Sequence, residues 1–262
     1  MTLRIGILGA ARVATYAMIA AAKDVEGVDV VAVAARDPVR ARTYAEAHGI
    51  PNVYSDYDTL IASPDIDAVY NALPPNLHAQ WSIAALQAGK PVLCEKPFAL
   101  SVADVEAMLA AEEKNGLLLM EAQHTYYHPR HARIREVVQN GILGKIIRIS
   151  AQFDVPVDET PGEIRWDGKV GGGALWDLGV YPVFWLRATM GEEPKLVSSA
   201  HRLHERGADI ETEAEFVFAS GAAGSINCSI QRAFAAWLKV EGDKGSLFVP
   251  DPLSPPNNQS LT

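Results

Sequence analysis

The chain opens with short β-branched and aliphatic runs, separated by stretches whose apolar positions recur every three or four residues. The apolar runs fall at Leu3–Leu8, Val28–Ala34, Asp67–Ala72, Pro91–Cys94 and Leu117–Glu121, nearly continuous as in strands covered on both faces. Helical spacing lies between them, at Ala11–Ala22, Val39–His48, Leu77–Gln87 and Ala103–Lys114. Such alternation predicts βαβ units and a parallel sheet. Ser101-Val102-Ala103-Asp104 resembles a capping box for the last of these helices, and Gly116 is placed to stop it.

A further helix, about Pro129–Gln139 and ended by Gly141, leads into a different texture. Strand-like segments at Ile146–Val155, Val197–Leu203, Glu211–Ala219, Gly224–Ile230 and Ala236–Glu241 follow with one helical interval, Ala174–Thr189. Consecutive strands favour antiparallel pairing. The pattern therefore predicts an α/β domain with a parallel sheet over residues 1–122, then an α+β domain with an open, predominantly antiparallel sheet over 123–262. The segment from Val249 to Asn258 is proline-rich and polar, and reads as a loop or an end.

Composition narrows the chemistry. With 262 residues, 48% apolar and 21% charged, the chain is long and apolar enough for two packed domains. A net charge of −9 argues against a nucleic-acid partner, which calls for clustered Lys and Arg. Cys94 and Cys228 are too few for a disulfide framework or thiolate cluster. No apolar run reaches about 18 residues, and no leader pattern precedes the first strand. A soluble cytoplasmic protein with a small-molecule partner, no nucleic acid and no membrane is expected. His124, His128 and His131 have loose spacing beside a helix start, so no metal site is expected.

Candidate chemistry begins where the first strand runs into Gly9-Ala10-Ala11-Arg12-Val13-Ala14 and then a helix. This is the setting of a Rossmann dinucleotide turn: Gly9 for the tight turn, Ala11 where a second glycine usually stands, Ala14 for close helix packing, and helix amides for the pyrophosphate. Arg12 and Val13 belong to the same cofactor turn. At the end of the second strand, Arg36 suits the 2′-phosphate of NADP. The alternative is that Asp37 takes the ribose of NAD.

Taken with Pro74-Pro75-Asn76-Leu77-His78, Glu95-Lys96-Pro97 and Gly171-Gly172-Gly173-Ala174-Leu175-Trp176-Asp177-Leu178-Gly179-Val180-Tyr181, these motifs resemble, in order, the Gfo/Idh/MocA oxidoreductases. Tyr181 and the preceding Ile164-Arg165-Trp166 resemble the NADP-dependent D-xylose dehydrogenase, dihydrodiol dehydrogenase and glucose-fructose oxidoreductase branch. The resemblance implies a Rossmann domain, a substrate domain on a large open sheet, NADP, a sugar or cyclic diol as substrate, and a homodimer or higher homo-oligomer. Family chains usually run several tens of residues further, so 123–262 is expected to lack the usual C-terminal segment, as a truncated form or a short member.

The protein must position a hydroxyl and move its proton. Lys96, past the C-terminal end of a parallel strand, can stabilise a developing alkoxide. Asp177 and Tyr181, four apart, share a helix face; Tyr181 would exchange the proton and Asp177 would hold the sugar or orient the pair. Lys96 as the proton donor stays open. By the resemblance, Pro74, Asn76 and His78 line the cofactor, though His78 also reads as a satisfied histidine at a helix start. Glu95 either accepts from the cofactor or fixes the lysine. Arg165 and Trp166 are candidate substrate contacts, with Trp166 equally readable as core. A non-catalytic dinucleotide- or sugar-sensing regulator is the alternative function, but it has no need of the Lys96, Asp177 and Tyr181 set.

Overall fold

The computed structural model describes residues 2–253. The chain divides into two compact units between Ala122 and Gln123. In the first, β1 (Leu3–Leu8), β2 (Val28–Ala34), β3 (Asn52–Tyr54), β4 (Ala68–Asn71), β5 (Val92–Cys94) and β6 (Leu119–Glu121) form an all-parallel sheet in the order β3-β2-β1-β4-β5-β6. Helices run over residues 12–23, Pro38–His48, Tyr57–Ala62, His78–Gln87 and Val102–Asn115.

Two apolar clusters cover the faces of this sheet. Leu60, Ile66, Leu86 and Met108 belong to one, and Ile7, Ile19, Val33 and Tyr70 to the other. β3 and the helix Tyr57–Ala62 were not anticipated, because three and six residues are too few to display a period. The strand order reverses between β1 and β4. The C-terminal ends of those two strands therefore frame the switch point at which open α/β sheets take ligands.

In the second unit, β7 (Ile146–Asp154), β8 (Lys195–Leu203), β9 (Asp209–Val217), β10 (Ala223–Ser229), β11 (Ala235–Gly242) and β12 (Ser246–Pro250) form a sheet in the order β12-β11-β7-β10-β9-β8. Its pairs are antiparallel except β7 with β10. β12 corrects the expectation for Val249 and Pro250, which lie in a strand; Ser254–Asn258 fall outside the described residues. Leu247 and Val249 alternate inward on it, a period of two that the following prolines obscured.

The helices Pro129–Gln139 and 175–190 contribute to the core on one face of this sheet, around Ile149, Ile226, Leu238 and the fully buried Trp185. The opposite face is polar at the centre of the sheet, with the aromatic pair Trp237 and Phe248 on β11 and β12. Ser225 donates to Ser150 at 2.9 Å and Asn227 to Glu213 at 2.6 Å. No helix among the described residues is long and apolar enough to cross a membrane.

Candidate functional site

β1 ends at the Gly9 turn. Gly9 has φ +96°, and a Cβ there would stand 3.2 Å from Leu73 Cδ2 and 3.3 Å from the Ala72 carbonyl oxygen. Both the backbone angle and the close approach call for glycine. Ala11 then caps the helix in an extended conformation, φ −96° and ψ 140°, with no side-chain hydrogen bond to the first turn. First-turn amides have no intrahelical partner and carry the positive end of the dipole. Arg12 is exposed, Val13 half-buried and Ala14 fully buried, which lets the helix pack close. The helix widens to π geometry over Thr15–Ala20, a deviation frequent at functional sites. A tight glycine turn and uncapped amides fit a dinucleotide pyrophosphate.

At the end of β2, Asp37 Oδ1 accepts the Val39 N–H at 2.8 Å and the Arg40 N–H at 3.4 Å, capping Pro38–His48. Its carboxylate is thereby engaged by the helix. Arg36 is exposed beside it. Arg40, not singled out from the sequence, donates from Nη2 to the Ala10 carbonyl at 2.8 Å. Burial raises the pKa of the Tyr57 phenol, while a hydrogen bond from the Arg36 backbone and the charges of Arg36 and Arg40 oppose it.

After β4, Pro74 is half-buried and Asn76 exposed in the turn Pro75–Leu77. His78 has the surroundings of a satisfied histidine at a helix start, the second of its two readings. It is 0% exposed, with Nδ1 2.8 Å from the Pro97 carbonyl oxygen and Nε2 2.8 Å from that of Leu73. A neutral ring has one N–H to donate, so His78 hydrogen-bonds one of these carbonyls at a time, and it sits sealed from solvent between the turn after β4 and the turn after β5. Burial lowers its pKa, opposed by those carbonyls and assisted by the Lys96 charge.

Glu95 lies beneath the lysine turn. It is buried, accepts the Tyr70 hydroxyl on one oxygen, and accepts the Lys96 N–H at 3.2 Å on the other. Of its two readings, these contacts serve the fixing of the lysine turn. Burial raises its pKa, while the Tyr70 phenol and the Lys96 charge pull it down. Lys96 itself is half-buried, and its peptide with Pro97 is cis. Neither cysteine is a candidate nucleophile, since burial pushes both thiols up to about 12.

In the second unit, the glycine run brings backbones together. A Cβ on Gly172 would stand 2.3 Å from the Ile164 carbonyl oxygen, and one on Gly173 2.1 Å from Asp209 Oδ1. Asp209 in turn accepts the Leu175 N–H at 2.8 Å at the head of the helix 175–190. That helix begins in π geometry over Leu175–Gly179, so Asp177 sits in the wide turn and Tyr181 in the α-helix after it. Asp177 is partly exposed, with Arg165 Nη1 4.0 Å away, and Arg165 donates to both oxygens of Glu163.

Tyr181 is 7% exposed and packs edge-on against His124, 5.7 Å between centroids, and Phe153, 5.5 Å. Trp166 lies in the apolar core of this unit, one of its two readings. It is 2% exposed and packs edge-on against His204. His128 caps the helix Pro129–Gln139 and His131 Nε2 bonds the Pro252 carbonyl. No group of three or more His, Cys, Asp or Glu that could hold a metal ion occurs among the described residues.

Comparison with known proteins decides the family. The model of an oxidoreductase family with an NAD-binding Rossmann fold matches residues 3–123, and that of a GFO/IDH/MocA C-terminal domain matches 131–248. A dTDP-3,4-didehydro-2,6-dideoxy-α-D-glucose 3-reductase from Saccharopolyspora spinosa is 34% identical over 97% of this chain and 76% of its own length. The chain belongs to the Gfo/Idh/MocA oxidoreductase family.

Among other relatives, a trans-1,2-dihydrobenzene-1,2-diol dehydrogenase from Sus scrofa is 34% identical over 85% of this chain and 66% of its own length. A 3-ketoreductase from Actinomadura kijaniata, crystallised with NADP and TDP-benzene, superposes with a TM-score of 0.93 at 31% identity. That superposition covers 100% of this chain and 80% of the other.

Proposed function

We propose that this Gfo/Idh/MocA chain is an NADP-dependent oxidoreductase acting on a CH–OH group of a sugar or cyclic diol, or on the corresponding ketone in reverse. The observation that carries the cofactor choice is the engagement of Asp37 as a helix cap, which leaves the exposed Arg36 as the group at the end of β2 suited to a 2′-phosphate. The relative crystallised with NADP supports the same choice. The relatives named as sugar 3-reductase and dihydrodiol dehydrogenase support the substrate class.

NADP would supply or accept the hydride. Gly9, Ala11, Arg12 and Val13 hold its pyrophosphate, and Pro74 and Asn76 border it. The Lys96 ammonium donates a hydrogen bond to the reacting oxygen and stabilises alkoxide as the C–H bond breaks. Tyr181 exchanges the hydroxyl proton, and Asp177, with Arg165 beside it, orients the sugar. Assembly as a homo-oligomer completes the reading.

The test is to follow reduced-nicotinamide absorbance with purified protein, NADP or NAD, and a panel of aldoses and trans-dihydrodiols. Turnover with NADP supports the proposal. Tight cofactor binding without reduction by any of these substrates overturns it and leaves a sensor.

A further inference from the structure

The residue in the place of the second glycine, Ala11, is held from behind by a chain of side chains. Tyr44, on the helix Pro38–His48, donates its hydroxyl to the Ala11 carbonyl at 3.0 Å. Its single proton is thereby spent, so Thr15 Oγ1, 3.2 Å away, donates to the phenol oxygen. Thr15 then accepts from His48 Nε2 at 3.3 Å, which fixes that nitrogen as N–H. His48 also packs edge-on against Tyr44, 4.5 Å between centroids. The result is a one-directional relay, His48 to Thr15 to Tyr44 to the Ala11 carbonyl, in which each donor polarises the next. One turn earlier on the same helix, Arg40 donates to the Ala10 carbonyl at 2.8 Å.

In a planar trans peptide the C=O and N–H vectors are opposed. Pinning the Ala10 carbonyl therefore aims the Ala11 N–H, and pinning the Ala11 carbonyl aims the Arg12 N–H, both away from the second helix. We propose that Tyr44, backed by Thr15 and His48, is a cofactor-positioning residue that fixes the Ala11–Arg12 peptide so its amide meets the dinucleotide pyrophosphate. The relay supplies rigidity at a turn where a side chain replaces the glycine of the usual fingerprint. A phenylalanine at 44 would fill the same space and leave the Ala11 carbonyl with only the Ala14 N–H, 3.1 Å away.

The proposal rests on the reading of the Gly9 turn as a dinucleotide site, and calorimetry separates the two. Wild type and Tyr44→Phe are titrated with NADP, NAD and adenosine 2′-monophosphate, which carries the 2′-phosphate and no pyrophosphate. Expected is a loss of about 5-fold, equal for both dinucleotides, with adenosine 2′-monophosphate unchanged. Thr15→Val, which breaks the relay one step back, should give a smaller loss of the same pattern. Unchanged dinucleotide affinities would overturn the proposal, as would a loss confined to NADP or one shared by adenosine 2′-monophosphate. A wild type that binds neither dinucleotide overturns the site itself.

Discussion

The guanidinium of Arg165 is gripped by Glu163 through Nε at 2.9 Å and Nη2 at 2.8 Å, and this pair turns Nη1 toward Asp177 at 4.0 Å. A two-point grip fixes the plane of the guanidinium, which a single contact would leave free to swing. Arg165 is thus a fixed wall beside the carboxylate proposed to orient the sugar. Arg165→Met should lower kcat/KM by about 10- to 100-fold, the scale of a misplaced positioning group. Arg165→Lys keeps the charge and loses the fork, and should fall between. Steady-state kinetics on whichever sugar or diol is turned over checks both; wild-type values in the two variants would remove Arg165 from the site.

The close approach of Gly172 to the Ile164 carbonyl is a backbone-to-backbone contact that a methyl group cannot share. Gly172→Ala should cost about 3 kcal/mol or more, because neither partner is a flexible side chain. Gly49 offers the comparison: φ is +73° at a helix end, with nothing within 4 Å of its Cβ position. Gly49→Ala should cost about 1–2 kcal/mol from backbone strain alone. Denaturant unfolding of the two variants tests the ranking, and equal losses would contradict it.

At β2, two neighbouring residues should separate cleanly by role. Arg36→Ala should weaken NADP by about 10- to 100-fold, the value of a charge-assisted contact, and leave NAD nearly unchanged. Asp37→Ala removes a helix cap and should cost about 1 kcal/mol of stability without changing the ratio of the two affinities. Equal losses of both cofactors in Arg36→Ala would show that the arginine does not read the 2′-phosphate.

Lys96→Met should reduce kcat by about 10²-fold or more while cofactor affinity persists, as expected for a group that acts on the reacting oxygen. Glu95→Gln keeps the size of the side chain and removes its charge, so a loss in kcat without one in cofactor affinity would match its contacts with the lysine turn. Retained turnover in Lys96→Met would move the chemistry elsewhere.

The parts legible in the sequence are those encoded within a few residues. Gly9 and Ala14 report on their own turn. Ser101 takes the Asp104 N–H and Gly116 ends the same helix in left-handed geometry, as their types and spacing foretell. What could not be read depends on partners far along the chain. His78 meets Pro97, 19 residues on, and Trp166 packs against His204, so their neighbours in sequence left each open between the interior and the site. Arg40 and Tyr44 look like an ordinary solvated helix face until the Ala10 and Ala11 carbonyls are set beside them.

The histidine at 131 makes stability depend on pH. It is 2% exposed, its Nε2 meets the Pro252 carbonyl at 3.0 Å, and burial lowers its pKa from 6.5 to about 4, with the charges of Arg135, His128 and Arg130 adding to the depression and the carbonyl opposing it. The folded state thus keeps the ring neutral down to about pH 4, whereas the unfolded chain takes up its proton near 6.5. Between those values the unfolded state binds more protons, so stability rises with pH across the window. His131 therefore weakens the fold progressively as pH drops from 6.5 toward 4, by about 3 kcal/mol when fully expressed. His131→Gln retains a donor for Pro252 and has no proton to gain, so its melting temperature should fall less steeply over that range. Parallel curves for wild type and variant would show that other groups set the acid limit.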